Sequence, residues 1–328
     1  MPPAPPVVNP NKPKPGFHPR TEKPAVLGTP GLPGTPVVLT IAGFDPSSGA
    51  GMTADIKVIA AHECYGIACA TALTVQSTRG VRRVEPLDPR TIADILAELA
   101  ADFSIAAVHI GMLGNGPVVC AVADFLSQAG LPHVVLDPIL RSSSGTELLD
   151  FAGAQLMIER LFPMAELVTP NLDEAIALAG ITPAGANAPP APASSTAALE
   201  TMRQAARRIH SLGAANVVVT AGHLDKAVDL LSFTASRGIE QEVFRAERQR
   251  STSTHGTGCA FSTAIACHLA HGRGLPEAVL LSKAYVCAAI ANAQDLGHGA
   301  GPLHHLYRMH QQRRPPFVSE SEHSDSRG

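Results

Sequence analysis

Tryptophan is absent from this 328-residue chain, which has three tyrosines, 10 phenylalanines and an aromatic content of 4%. Few side chains are therefore available to stack bases along a nucleic-acid strand. Charge is also sparse: 16% of residues are charged, and 25 Lys and Arg against 28 Asp and Glu leave a formal net charge of −3. That balance lacks the basic footprint of a nucleic-acid binder and leaves room only for a small anionic ligand. The six cysteines, Cys64, Cys69, Cys120, Cys259, Cys267 and Cys287, contain no C-x-x-C pair, and most sit in apolar runs. A disulfide framework and a zinc cluster are both excluded, and buried thiols in a reducing compartment are expected. No stretch approaches the ~20 uninterrupted apolar residues of a membrane span, and the N-terminus has no apolar secretory core. A cytoplasmic protein without membrane contact is the expectation.

Proline, by contrast, is plentiful: 28 residues, as many as glycine. Twelve lie between Pro2 and Pro36 and four between Pro183 and Pro192. Met1 to Pro36, with Lys12, Lys14, Arg20 and Lys23 against one acid, reads as a disordered, mildly basic arm. Residues 181–196 (ITPAGANAPPAPASST) read as a surface insertion, and 308–328 as a polar, frayed tail. Between the loose ends, 37–307 reads as one domain.

Within that domain, VVLTIA (from Val37), TALTV (from Thr71), AAVHIG (from Ala106), HVVLD (from His133), AELVT (from Ala165) and ANVVVT (from Ala215) have the near-continuous apolar character of strands covered on both faces. The segments TIADILAELAADF, PVVCAVADFLSQAG and TMRQAARRIHSLG between them have helical spacing, the last two closing at Gly130 and Gly213. This alternation predicts an α/β fold with a mostly parallel sheet and right-handed crossovers. DLLSFT and IEQEVFRAERQR alternate apolar and polar residues, predicting an antiparallel pair at one sheet edge. Two helices follow, from about Gly256 to His271 and from about Leu275 to Asp295. Ligands of such sheets bind beyond the carboxyl ends of the strands, so the residues after each run carry the functional reading.

Three segments stand out there. In THGTGCAFSTAIACHLAHG, Gly256, Thr257 and Gly258 form a turn before an apolar helix, where backbone N–H groups and the helix dipole favour an anion such as a phosphate in transit. Cys259 sits at the same helix start, where a thiol pKa tends to fall; it is either a base or acceptor-orienting group, or a structural cysteine. In AGFDPSSGAGMTADIK, Gly43, Gly49 and Gly51 allow close backbone approach, and Asp55 lies on the following helix. Neither G-x-G-x-x-G nor G-x-x-x-x-G-K-[ST] is in register, so a loop closing over a small polar ligand fits better than a dinucleotide or P-loop site. In VTPNLDEA, Asn171 and Glu174 are spaced i, i+3 at a helix start. They either hold water on a Mg²⁺ that also binds phosphate oxygens, or cap the helix and complement its dipole. Gln76, Met112 and Asp137 end three strands and are weaker candidates for the same crevice, and Lys283, in a mostly apolar helix, either snorkels or meets a phosphate.

Taken together, TIAGFDPSSGAGMTADIK, TALTVQSTRGV, IGML, VVLDP, VTPNLDEA, the GH at Gly222 and His223, THGTGC, SKAYV and GHGAGP resemble, in order, the hydroxymethylpyrimidine/phosphomethylpyrimidine kinases of thiamine biosynthesis. The resemblance spans about Val37 to His305 and implies a ribokinase-like three-layer α/β/α sandwich with a mostly parallel central sheet. It implies that Gly43, Asp55, Val75, Gln76 and Met112 line the pocket for the pyrimidine. Asn171, Glu174, Gly222 and Lys283 would serve the nucleotide phosphates, with Asn171 and Glu174 on magnesium through water, and Gly256, Thr257, Gly258 and Cys259 would form the anion hole around the transferring phosphoryl group. The implied activity is Mg-ATP-dependent phosphorylation of 4-amino-5-hydroxymethyl-2-methylpyrimidine and then of its monophosphate, by a homodimer with ATP and Mg²⁺ as cofactors. Where the family commonly has lysines, this chain has Ser143 and Thr220, so Arg141, Lys226 or Lys283 is expected to supply the missing cations. A pyridoxal or pyridoxine kinase, and a pyrimidine-binding regulatory protein without catalysis, are the alternatives.

Overall fold

The computed structural model describes residues 34–142, 144–181, 195–221, 226–247 and 255–311. The expected arm, most of the insertion, most of the polar tail, Ser143 and Gly222 lie outside them. In chain order the elements are β1 (Val37–Phe44), α1 (Gly51–Ala61), β2 (Tyr65–Ser77), β3 (Gly80–Pro86), α2 (Pro89–Asp102), β4 (Ile105–Ile110), α3 (Gly116–Ala129), β5 (Val134–Leu136), α4 (Phe151–Arg160), β6 (Leu167–Val168), α5 (Leu172–Leu178), α6 (Ser195–Ser211), β7 (Val217–Ala221), β8 (Lys226–Ala235), β9 (Gly238–Glu247), α7 (Thr257–Ala270), α8 (Leu275–Ala291) and α9 (Tyr307–Gln311).

The nine strands form one sheet in the order β3-β2-β1-β4-β5-β6-β7-β8-β9. Its centre, β2 to β7 in that order, is parallel, and β3, β8 and β9 add antiparallel strands at the two edges. The β8–β9 pair is the edge hairpin expected from the alternating pattern; β3 was not anticipated, because GVRRVEP carries too few apolar residues to signal a strand.

The unbroken apolar runs have a simple cause. Successive residues of a strand face opposite sides, and here both sides are covered. Leu39, Val108, Val134, Val168, Val217 and Leu230 enter one apolar layer with α2, α3, α4 and α6, while Val38, Ala107, Val135, Leu167, Val218 and Leu231 enter the other with α7 and α8. Each fully buried Val, Leu or Ile in these layers contributes about 1.5–3 kcal/mol relative to exposure. This is the expected three-layer α/β/α sandwich.

Helix starts divide into two groups. Asp88, Asn115, Asp150 and Asn171 cap α2, α3, α4 and α5 by accepting from backbone N–H groups of the first turn. Gly130, in the left-handed region at φ 56°, closes α3 as its sequence position suggests. α1, α7 and α8 have no side-chain cap, and of these α1 and α7 reach the cleft described below.

Lys283 departs from the sequence reading. On α8 it is buried, and it pairs with the equally buried Asp229 of β8 at 2.5 Å. It does not line the cleft described below. Burial pushes the Asp229 carboxyl up, and the Lys283 ammonium opposes that shift. The mostly apolar character of α8 reflected burial between sheet and solvent, with the cation neutralised inside the layer. Lys283→Met strands Asp229 as a buried unpaired charge and should lower unfolding stability by about 3–5 kcal/mol. In urea denaturation, Lys283→Met with Asp229→Leu should recover most of that loss; no recovery would refute the pairing as the cause.

Candidate active site

A cavity of about 520 Å³ opens where β1, β2, β4, β5, β6 and β7 end. Gly43 and Asp45 reach it from the end of β1, Thr74 and Gln76 from β2, Met112 from the end of β4, and Asp137 from the end of β5. Asn171, Glu174 and Thr220 follow from β6 and β7, and Gly256, Thr257, Gly258 and Cys259 from the start of α7. Most of the candidates read from the sequence thus meet at one place, as a doubly covered parallel sheet requires.

The glycine turn is shaped by contact. Gly256 has φ 80°, and a Cβ there would run into the carbonyl oxygen of Gly49. Gly51 has φ 57°, and a Cβ there would run into the carbonyl oxygen of Gly43. The two helix starts therefore lie backbone against backbone, with Gly256, Thr257 and Gly258 lining the cavity and no side-chain cap from the N-cap residue of α7. Such a turn suits a phosphate oxygen.

Three carboxylates crowd this turn. Burial raises the Asp137 carboxyl well above its ordinary range, and the charges of Glu174 and Asp55 raise it further, against hydrogen bonds from Cys259 and Ser262. Burial likewise raises Glu174 to about 7, although the backbone N–H groups of Asn171 and Leu140 oppose it. Asn171 Oδ1 accepts from the Glu174 N–H at 2.9 Å, and Glu174 Oε2 accepts from the Asn171 N–H at 2.9 Å. Helix capping therefore occupies one oxygen of each, while both residues still line the cavity. The Cys259 thiol is pushed well above its ordinary range by burial and by Asp137 and Asp55. The sequence expectation of a lowered thiol pKa is reversed, because burial, with the neighbouring carboxylates adding to it, outweighs the helix dipole.

Two expected pocket residues are elsewhere. Asp55 is fully buried; it accepts from Thr40 at 2.7 Å and Thr263 at 2.9 Å and lies 3.3 Å from His109 Nδ1. It acts on the cleft through its charge, since it tells on both Asp137 and Cys259. Val75 is 44% exposed and points away, because Thr74 and Gln76 take the cleft side of β2 and the residue between them takes the other. The sequence reading missed a linked pair. His255 Nε2 lies 3.0 Å from both Asp45 Oδ2 and Gln76 Nε2, and the Gln76 amide oxygen accepts from Thr74 at 3.2 Å. Burial works to raise Asp45, but hydrogen bonds from His255, Ser47 and Ala50 hold its carboxyl below the ordinary value. The signal was present in DPS and HGTGC, yet 210 residues separate Asp45 from His255.

Comparison with known proteins gives this arrangement its family. The family model described as phosphomethylpyrimidine kinase matches residues 45–304. The chain belongs to the phosphomethylpyrimidine kinase family. A thiamine biosynthesis bifunctional protein, ThiED, of Geobacter sulfurreducens is 40% identical over 82% of the chain, which spans 52% of that longer protein. A hydroxymethylpyrimidine/phosphomethylpyrimidine kinase of Haemophilus influenzae is 35% identical over 82% of the chain and 96% of its own length. Among solved structures, the ADP complex of Bacillus subtilis pyridoxal kinase superposes with a TM-score of 0.71 at 31% identity, covering 84% of this chain and 99% of that one. A phosphomethylpyrimidine kinase of Clostridium difficile 630 does so with 0.65 at 33%, covering 78% and 100%. The chain is a phosphotransferase with a ribokinase-like fold.

In this kinase, Gly256→Ala should abolish turnover because the added Cβ cannot coexist with the Gly49 carbonyl. Circular dichroism should remain native; turnover within tenfold of the parent protein would remove the turn from the active site.

Proposed function

We propose that this kinase transfers the γ-phosphoryl group of ATP to the hydroxyl of 4-amino-5-hydroxymethyl-2-methylpyrimidine, and then a second phosphoryl group to the monophosphate formed. The observation that carries this reading is the meeting, in one cavity, of an uncapped glycine turn with the Gln76 amide. Gln76 would read a ring nitrogen and the exocyclic amine, with Thr74 and His255 fixing its amide and Met112 and Gly43 forming the apolar wall. A Cβ on Gly43 would approach the Met112 methyl to 2.8 Å, so glycine keeps that wall thin enough for a flat ring.

The transferring phosphoryl group would sit on the N–H groups that begin α7. Cys259, held as a thiol, would orient the acceptor and leave its proton in place. That suits the second transfer, whose acceptor is a phosphate oxygen already ionised near neutral pH, and in phosphoryl transfer positioning and charge neutralisation carry most of the acceleration.

The donor set fits magnesium. Asp137 and Glu174 are two carboxylates whose proton affinity burial raises, with the Glu174 charge adding to the rise at Asp137, and a dication would relieve both. Among the described residues no cluster of three or more His, Cys, Asp or Glu side chains could cage a metal, and magnesium characteristically keeps its waters and leans on substrate phosphates. When bound, magnesium supplies positive charge to the nucleotide phosphates. Asn171 and Glu174 would hold it through water, with Asp137 beside them.

Pyridoxal is the second reading, favoured by the likeness to pyridoxal kinases and by Cys259 at the cavity wall. ADP release measured with the pyrimidine alcohol, its monophosphate and pyridoxal separates the cases. Turnover of both pyrimidines at a kcat/KM at least about tenfold above pyridoxal is expected. Faster turnover of pyridoxal would reverse the assignment, and saturable binding without ADP from any substrate would leave a regulatory protein.

Glu174 adds a pH dependence. A carboxyl raised to about 7 is ionised above that pH and protonated below it. The magnesium concentration for half-maximal rate should therefore rise as pH falls through about 7, and Glu174→Gln should remove that dependence while raising the requirement at pH 8.

A further inference from the structure

One polar chain in the cleft is fixed by its hydrogens as much as by its distances. Asp45, 3% exposed, takes two donors on Oδ1, the Ser47 N–H at 2.8 Å and the Ser47 hydroxyl at 2.7 Å. Its Oδ2 takes the N–H groups of Gly49 at 3.2 Å and Ala50 at 2.9 Å. A group met by so many donors is a carboxylate, and it only accepts. His255 Nε2, 3.0 Å from the same Oδ2, therefore carries a hydrogen. The ring has little freedom to present anything else: its side chain is 12% exposed, a Cβ on Gly49 would run into it, and the His255 N–H donates to the Gly301 carbonyl at 3.1 Å.

That hydrogen decides which way the Gln76 amide points. The amide has two orientations of the same shape, a half-turn apart, and the hydrogen bonds around it select one. With the nitrogen toward His255, two hydrogen-bearing nitrogens face each other at 3.0 Å. Thr74 must then also give its single hydroxyl hydrogen twice, to the Phe44 carbonyl at 2.9 Å and to the amide oxygen at 3.2 Å. With the oxygen toward His255 every group is matched. His255 donates to the amide oxygen and to Asp45, the amide nitrogen donates to Thr74, and Thr74 donates to Phe44. One oxygen lone pair and one N–H remain for the cleft, with the oxygen on the His255 side.

We propose that His255 is the positioning residue that, by locking the Gln76 amide, makes the pocket specific for a 4-aminopyrimidine and closed to the corresponding 4-oxo ring, a role that rests on the pyrimidine reading of this site. The amino ring offers a donor, its exocyclic amine, next to an accepting ring nitrogen. The locked amide answers with oxygen and N–H in that order. The 4-oxo ring offers the reverse, a carbonyl next to a ring N–H, so an amide that cannot turn meets it oxygen to oxygen and hydrogen to hydrogen. Polar groups left unpaired in a closed site cost more than a contact merely missed, and such mismatches are how a site rejects a ring of nearly the same shape.

The same direction orients the reacting group. In the amino substrate the amine lies between the ring nitrogen and the carbon that bears the hydroxymethyl group. Amide oxygen toward His255 thus puts the ring nitrogen on the Thr74 side and the hydroxymethyl group on the His255 side. His255 is followed directly by Gly256, Thr257 and Gly258, which line the cavity at the start of α7. A turned amide would send the hydroxyl away from that turn.

The test measures ADP release by the full chain with 4-amino-5-hydroxymethyl-2-methylpyrimidine and with its 4-oxo counterpart. The parent protein is expected to prefer the amino alcohol at least about a hundredfold in kcat/KM. In His255→Phe, which keeps a flat ring against Gly49 and loses the hydrogen, the amide is free to turn, and that preference should fall at least about tenfold. A merely structural role would lower both substrates alike and leave the ratio where it was. An unchanged ratio in His255→Phe, or a parent protein that takes both alcohols equally, overturns this proposal alone. A parent protein that releases no ADP with the amino alcohol overturns the substrate assignment, and this proposal with it. If His255→Phe does not fold, nitrogen-15 spectra of the histidine-labelled parent protein decide: a hydrogen on His255 Nε2 supports the network, and a bare Nε2 overturns it.

Discussion

The backbone contact between Gly49 and Gly256 governs the site. Gly49 ends the loop after β1, and Gly256 precedes α7, more than 200 residues later, yet no Cβ fits between them. Their approach aims the uncapped starts of α1 and α7 at one cavity. It also brings the Asp45 carboxylate and the His255 ring within hydrogen-bond reach, which in turn fixes Gln76. The uncapped turn and the Gln76 amide come to one cavity through one close approach.

Electrostatics follow from the same packing. Burial raises Asp137, Glu174 and the Cys259 thiol; the charges of Glu174 and Asp55 add to the rise at Asp137, and those of Asp137, Asp55 and Glu174 to the rise at Cys259. A small charge balance across the whole chain coexists with a strongly biased local field, because burial decides which charges stay unscreened. Lys283 shows the converse: its charge is spent inside a helical layer on Asp229. Arg141, by contrast, lines the cavity.

Much of the fold was legible. The apolar runs gave the parallel centre of the sheet, the alternating run gave β8 and β9, and Gly130 gave the end of α3. β3 was not, because a strand with one face in solvent and Arg82 and Arg83 in its middle has no apolar signature. In the site, Gly256, Gly258 and Asn171 could be placed from local spacing because backbone turns and caps are local. Val75 and Asp55 could not: the first depends on which face of β2 meets the cleft, the second on a buried partner set drawn from Thr40, His109 and Thr263.

The sequence alone determined the class of fold, the strand ends at which ligands gather, the glycine turn before α7 and, through ordered motifs, the family. Those properties rest on periodicity, backbone freedom and short spacings, which are written along the chain. Tertiary structure alone decided that His255 joins Asp45 to Gln76, that Lys283 turns to Asp229 and that Cys259 keeps its proton. Each depends on distances between residues remote in sequence and on the loss of water around them, and neither is fixed until the layers have packed.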